Sequence, residues 1–359
     1  MKYPIYIPEI TATEKEYVSD CLESTWISSK GKYISQFEEK VATFSGVKHA
    51  IAVHNGTVAL HLSLLVNGIG NGDEVIVPDF TYIASANAIL YVGAKPILAD
   101  VDPDTWNITA STIKKLISPK TRAIIVTDVY GLTPDMNEIN KLAKENDLIV
   151  IEDAAESIGA SYKGRRAGSL ADISIFSFFG NKTISTGEGG MVLTNNDTIA
   201  SLLRKLKNQG NSNTIRYYHD VLGYNYRMTN IQAAIGLAQM ERINHILERK
   251  ANINEYYRNH LKSYARFQRV DDGYISSNWM VGFLVEDIKQ RDELMASLEA
   301  DGIETRPFFN PVHTMPFYDE YNNPVSVELS HRGISVPSYP MLNKEDIDYI
   351  SSRIINFLK

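Results

Sequence analysis

Two strand ends in this chain carry side chains that could do chemistry. Phe176-Ser177-Phe178-Phe179-Gly180-Asn181-Lys182-Thr183 delivers a lysine from an apolar run into a loop continued by Gly187-Glu188-Gly189-Gly190. Such a lysine can lose its water shell and act as a nucleophilic amine, and the glycines would let the backbone close on a flat ligand. It would equally suit a solvated surface. Leu148-Ile149-Val150-Ile151-Glu152-Asp153 has the make-up of a buried strand and ends in two carboxylates, one of which must face the space beyond the strand. An Asp in that position also caps turns. A third candidate is His54-Asn55-Gly56-Thr57. If a helix starts near Val58, the amides of Gly56 and Thr57 project from its N-terminus, where a phosphate is stabilised; the same residues fit an ordinary Thr N-cap.

Positioning these groups is the task of an alternating pattern. Residues 50–53, 74–78, 96–99, 123–127, 148–152 and 173–178 have strand character, and 58–66, 82–91, 110–117 and 136–146 have helical period. The alternation predicts an α/β fold, a mainly parallel sheet with helices on both faces, whose ligands sit beyond the carboxyl ends of the strands. Near residue 240 the pattern changes. A helix to about 264, a strand at 279–285, a helix at 288–301, a strand at 304–308 and a final helix at 344–357 read as a smaller α+β domain. The expected division is a large domain over 1–245 and a small one over 246–359, without repeats or low-complexity linkers.

Composition removes whole classes of function. The net charge of −7 argues against nucleic acid and anionic membranes as partners. Cys21 is the only cysteine, so no intrachain disulfide or cysteine-built metal site is expected, which fits a cytoplasmic protein. No long apolar run suggests a signal peptide or a membrane span. Gly68-Ile69-Gly70-Asn71-Gly72-Asp73 precedes a strand, whereas a dinucleotide fingerprint opens a helix, so it reads as a turn. GxxxxGK[ST], HExxH and GxSxG patterns are missing. Eight scattered histidines offer no ligand pair at helical spacing, and no metal is expected; the Asn107-Ile108-Thr109 sequon is set aside as chance.

In order along the chain, Trp26-Ile27-Ser28-Ser29-Lys30-Gly31, Asn55-Gly56-Thr57-Val58-Ala59-Leu60, residues 78–82, Glu152-Asp153-Ala154-Ala155-Glu156-Ser157-Ile158-Gly159, residues 176–182, Gly187-Glu188-Gly189-Gly190, Gly223-Tyr224-Asn225-Tyr226-Arg227-Met228-Thr229-Asn230 and Pro311-Val312-His313 resemble the DegT/DnrJ/EryC1/StrS sugar aminotransferases, fold-type I enzymes that use pyridoxal 5′-phosphate (PLP). The resemblance spans essentially the whole chain. It implies that Lys182 is the catalytic Schiff-base lysine and that Asp153 pairs with the pyridine nitrogen. Tyr82 is implied to stack on the ring, and Glu156 to lie near its 3-hydroxyl. Gly56, Thr57 and Ser177 are implied to bind the phosphate, with Asn225 from a second subunit, so the implied unit is a homodimer with shared active sites. The physical logic agrees, since a carboxylate keeps a pyridinium protonated at neutral pH.

The implied reaction moves an amino group from L-glutamate to a keto-sugar nucleotide in two halves, with Lys182 shuttling the proton in each. Residues 178–183 and 223–230 look most like the GDP-perosamine synthases, which points to C4 of GDP-4-keto-6-deoxymannose and to surface polysaccharide biosynthesis. Lys30, Arg227 and His313 are candidates for the anionic substrate or its sugar, alongside a solvated lysine, an interface arginine and a packed histidine as alternatives. Many family members have His where this chain has Asp128, and residues 211–218 and 271–278 depart from the perosamine-synthase pattern. A dTDP- or UDP-linked keto sugar, or a small keto phosphate, therefore stays open as acceptor. Lys182 argues against the related dehydratases, in which a histidine takes its place, and a PLP-binding regulatory role would leave an intact cofactor set unexplained.

Overall fold

Strands that are apolar on both sides of the pleat must be covered on both faces. In the computed structural model, which describes residues 1–212 and 214–359, that condition is met. Asn213, within the divergent segment 211–218, lies outside the described residues. The strands are β1 (His49–Val53), β2 (Glu74–Pro78), β3 (Lys95–Ala99), β4 (Thr121–Thr127), β5 (Ile149–Asp153), β6 (Ser161–Tyr162), β7 (Arg165–Arg166), β8 (Ile173–Ser177), β9 (Gly190–Thr194), β10 (Arg266–Phe267), β11 (Tyr274–Ile275), β12 (Val281–Leu284), β13 (Arg306–Pro307) and β14 (Gly333–Val336). The helices are α1 (Ala12–Glu23), α2 (Lys32–Ser45), α3 (Gly56–Val66), α4 (Ala84–Tyr91), α5 (Ala110–Lys114), α6 (Met136–Glu145), α7 (Asp197–Leu206), α8 (Asn230–Glu241), α9 (Ile243–Leu261), α10 (Ile288–Ala300), α11 (Pro324–Arg332) and α12 (Lys344–Leu358).

The main sheet has seven strands in the order β1-β9-β8-β5-β4-β2-β3. The pairs from β8 through β3 are parallel, and β9 runs antiparallel to both of its neighbours. The expected mainly parallel sheet is present. Its reversed strand β9 begins in what the sequence suggested was only a glycine-rich loop. Alternate residues serve opposite faces: Ile51, Val53, Ile175 and Val192 pack with α3, α4 and α7, whereas Ala50, Ala52, Phe176 and Met191 pack with α2 and α8. Farther along that second face, Ile124, Val126 and Val150 cover Met136, Ile139 and Leu142 of α6.

A second, antiparallel sheet, β10-β12-β14-β13, has its own core of Ile253, Tyr257, Phe283, Leu298, Val336 and Ile350. Tyr3 joins that core, and its amide donates to Gly302 O at 2.9 Å. Residues 245 and 246 fall in the first turn of α9. Between the layers lies an aromatic seam of Phe80, Trp106, Tyr130, Trp279 and Phe308, above the carboxyl ends of β2 and β4. No helix among the described residues is long and apolar enough to cross a membrane.

Candidate active site

Lys182 sits in a loop whose backbone is tied down from several sides. Phe178 N donates to Gly189 O at 2.8 Å and Lys182 N to Phe179 O at 2.9 Å. The Tyr6 hydroxyl donates to Lys182 O at 2.6 Å, and Trp279 Nε1 donates to Asn181 O at 2.9 Å. The side chain is left to enter the cavity, where Nζ lies 3.7 Å from Glu156 Oε1 and 4.3 Å from the centre of the Trp279 ring. Burial pushes the Lys182 ammonium below the ordinary lysine value, against the pull of the Glu156 and Asp153 carboxylates. Its amine is thus easier to free of a proton than a surface lysine's.

Asp153 ends β5 and is buried. Its Oδ2 accepts from the Ser85 hydroxyl at 2.6 Å and its Oδ1 from the Ala155 amide at 3.2 Å, so among the described residues the carboxylate is oriented without a cation in hydrogen-bond contact. Burial raises its pKa, and those two hydrogen bonds and Lys182 oppose the rise. Glu156, one turn on, accepts from the Tyr130 amide at 2.8 Å. That amide is aimed by left-handed backbone at Tyr130 (φ 56°), a conformation uncommon outside glycine. Burial pushes the Glu156 carboxyl up to about 7. Behind the pair, Asp128 is fully buried and accepts from the Ser157 hydroxyl at 2.5 Å. Burial and the neighbouring Glu152 and Asp153 carboxylates hold it well above the usual carboxylate range.

The tip of α3 is built by close approach. α3 begins at Gly56, and its cap is Asn55, whose Oδ1 accepts from Val58 N at 3.0 Å. This excludes the Thr57 N-cap and leaves the Gly56 and Thr57 amides at the positive end of the helix. A Cβ on Gly56 would come within 3.0 Å of Ser177 Cβ, and one on Gly190 would collide with the Asn55 carbonyl. The start of β9 and the tip of α3 can therefore meet only with glycine at 190, and a side chain at 56 would press on Ser177 at the end of β8.

These groups line one cavity of about 370 Å³, together with Tyr82, Tyr130, Trp279, Arg306 and Phe309. Gly56, Thr57, Tyr82, Asp153, Glu156, Ser177 and Lys182 are all brought together there. Sequence reasoning missed Tyr130, Trp279, Arg306 and Phe309, which arrive from distant segments. Lys30, Asn225, Arg227 and His313 stand outside the lining. Lys30 is exposed, and Asn225 is exposed and accepts from Arg227 Nη2 at 3.0 Å. His313 is packed on buried Asp79, with its amide 2.9 Å from Oδ1 and its Nδ1 2.6 Å from Oδ2.

The donor set fits PLP: an amine at the end of one strand, a buried carboxylate at the end of the next for a ring nitrogen, and a helix N-terminus beside Ser177 for a phosphate. Residues 8–355 match the DegT/DnrJ/EryC1/StrS aminotransferase family. The chain belongs to that family. It is 50% identical over 360 residues to the GDP-perosamine synthase of Escherichia coli O157:H7, covering 99% of each chain. Against the GDP-perosamine synthase of Vibrio cholerae the identity is 44% over 361 residues, covering 99% of this chain and 98% of the other. The PLP form of the sugar aminotransferase Spr1654 from Streptococcus pneumoniae superimposes with a TM-score of 0.93 at 26% identity, covering 99% of both chains. As a member of the DegT/DnrJ/EryC1/StrS family the protein is a PLP-dependent sugar aminotransferase.

Proposed function

We propose that the protein transfers the amino group of L-glutamate to C4 of GDP-4-keto-6-deoxymannose, in the making of a surface polysaccharide. The observation that carries this reading is the near-full-length similarity to two GDP-perosamine synthases, joined to a cavity in which a buried lysine faces two buried carboxyls. In this reading Lys182 holds PLP by its amine and Asp153 keeps a proton on the ring nitrogen. Tyr82 covers the ring face, and Glu156 meets the 3-hydroxyl. Gly56, Thr57 and Ser177 bind the phosphate, helped by Asn225 of the partner subunit. Bound PLP supplies an electron sink for the charge left on carbon when a proton is removed.

Lys182 does the proton work. Freed by the incoming donor, Nζ takes the α-proton of glutamate; the nitrogen would stay with the cofactor and water would supply the keto oxygen of the 2-oxoglutarate, which leaves before the acceptor enters. In the second half Nζ delivers a proton to C4 of the sugar, the carbon that gains nitrogen. Burial, which disfavours the ammonium form, leaves Nζ more readily unprotonated, and so readier to accept that first proton, than a surface lysine. Trp279, its ring centre 4.3 Å from Nζ, covers the amine on one side.

A homodimer with shared sites is supported by the segment that carries Asn225. Ile215, Tyr217, Tyr218 and Leu222 are exposed, Leu222 at 86%, and clustered apolar exposure of this kind marks an interaction surface.

The acceptor is tested by incubating the PLP-loaded enzyme and glutamate with GDP-, dTDP- and UDP-linked 4-keto sugars and with small keto phosphates, reading products by mass spectrometry. The expected product is an amino sugar on GDP with mass and fragmentation placing nitrogen at C4. Amination of a keto phosphate alone would overturn the sugar-nucleotide reading.

A further inference from the structure

In the function proposed above the Lys182 amine serves twice, as the bond to the cofactor and as the carrier of protons, and both tasks need a main chain that does not drift beneath it. Packing within the loop does not secure this. A Cβ added to Gly180 or to Gly187 would meet nothing within 4 Å, so the chain runs past open space on either side of the lysine. The backbone is held instead by donors from elsewhere, Trp279 Nε1 on Asn181 O at 2.9 Å and the Tyr6 hydroxyl on Lys182 O at 2.6 Å. Among the described residues no main-chain amide donates to Lys182 O. The tether on the reacting residue itself is therefore Tyr6.

Tyr6 is in turn clamped from both directions. It stands in the middle of segment 3–9, whose start is tied beside β13, with Glu304 N donating to Tyr3 O at 2.8 Å and Ile5 N to Glu304 Oε2 at 2.8 Å. The far end is tied to the end of α8, where Gln239 Nε2 donates to Glu9 O at 2.9 Å and Arg242 Nη1 to Glu9 Oε2 at 2.6 Å. Between these anchors the Tyr6 ring packs against both the core of the antiparallel sheet and the aromatic seam, with Lys250 Nζ 5.5 Å from its centre. Burial raises the phenol above its ordinary value, so the hydroxyl keeps its proton to donate at neutral pH. Thr183 O is 3.5 Å away, which leaves Lys182 O as the nearer acceptor. Phenylalanine would fill the same space; what tyrosine adds is this one donor.

We infer that Tyr6 is a positioning residue for Lys182: by holding the lysine's main-chain oxygen, segment 3–9 fixes where Nζ stands in both half-reactions. This rests on Lys182 carrying PLP, and on neither the donor nor the acceptor named above.

The test uses the PLP-loaded enzyme with Tyr6→Phe, which keeps the ring, and with Tyr3→Phe as a control. Tyr3 lies on the same segment and its hydroxyl donates to Asp346 Oδ1 at 3.1 Å, outside the cavity lining. Borohydride reduction with peptide mapping first locates the cofactor, and a panel of L-amino acids is screened for loss of the visible absorbance of bound PLP to supply a donor. An adduct on a lysine other than Lys182, or no reacting amino acid, defeats the underlying reading and this inference together. With the adduct on Lys182, Tyr6→Phe is expected to lower the maximum rate of the donor half-reaction about tenfold, as misplacement of a reacting group does, while the half-saturating donor concentration stays within about twofold. Amide hydrogen exchange in the peptide spanning 178–189 should quicken by about fivefold, the scale of one lost hydrogen bond, without a matching change elsewhere in the chain. Tyr3→Phe should stay within about twofold of the wild-type rate and leave that peptide as it was. An unchanged maximum rate in Tyr6→Phe, or an equal loss in Tyr3→Phe, overturns the inference and leaves Lys182 standing as the cofactor lysine.

Discussion

At the scale of single residues, the site combines one amine and two carboxyls in a space where burial resists charge on all three. For Glu156 the consequence is measurable. Its carboxyl is raised by burial to about 7 from 4.5, so between these values the folded protein binds a proton that the unfolded chain has released. Stability contributed by this group is complete below about 4.5 and is lost as pH rises toward 7. We predict that Glu156→Gln, in the cofactor-free protein, flattens the pH dependence of unfolding across that interval by as much as about 3 kcal/mol; an unchanged slope by urea denaturation would show that the carboxyl is not held neutral. Lys182, Asp153, Gly56 and Thr57 were legible because each follows an apolar strand or opens a helix, whereas Glu156 and Ser177 came only from the family resemblance. Tyr130, Trp279, Arg306 and Phe309 were not, because they meet only through the packing of the second sheet on the aromatic seam, and no local spacing encodes that meeting. His313 was legible as a polar group but not as the occupant of the Asp79 pocket.

At the scale of elements, the strands from β1 to β5 and the helices between them could be read because doubly covered strands are continuous apolar runs and their helices keep a 3.6-residue period. β9 escaped because its start is a glycine chosen for close approach rather than for strand propensity. α1 escaped because it buries little, with Glu14 and Cys21 as its buried residues, so its apolar stripe is faint. The close approach at Gly190 carries its own prediction. Gly190→Ala would drive a methyl into the Asn55 carbonyl, separating β9 from the tip of α3. The expected cost is about 1–3 kcal/mol in chemical denaturation, together with weakened affinity for PLP because the phosphate cradle opens. Wild-type affinity in this variant would contradict the cradle as described.

At the scale of the whole molecule, we read the chain as a large domain over 1–245 that carries the cofactor residues and a smaller one over 246–359 that contributes Arg306, with the first residues docked on the latter. If Asn225 serves the partner's site, Lys182→Ala and Asn225→Ala chains should complement each other. Co-expressed at equal levels, they should restore roughly a quarter of the wild-type rate, from one intact site in each mixed dimer; a rate no higher than the average of the two pure variants would place Asn225 outside any shared site. Every scale of this account depends on Lys182 being the amine that carries PLP. Among the other lysines, Lys250 is also buried, pushed down to about 7 by burial, but its Nζ donates to Ser338 O at 3.2 Å away from the cavity. The most direct measurement is borohydride reduction of the PLP-loaded protein followed by peptide mass mapping. The account predicts a single reduced pyridoxyl adduct on the peptide containing Lys182, absent in Lys182→Ala; an adduct on Lys250 or another lysine, or none at all, would contradict it.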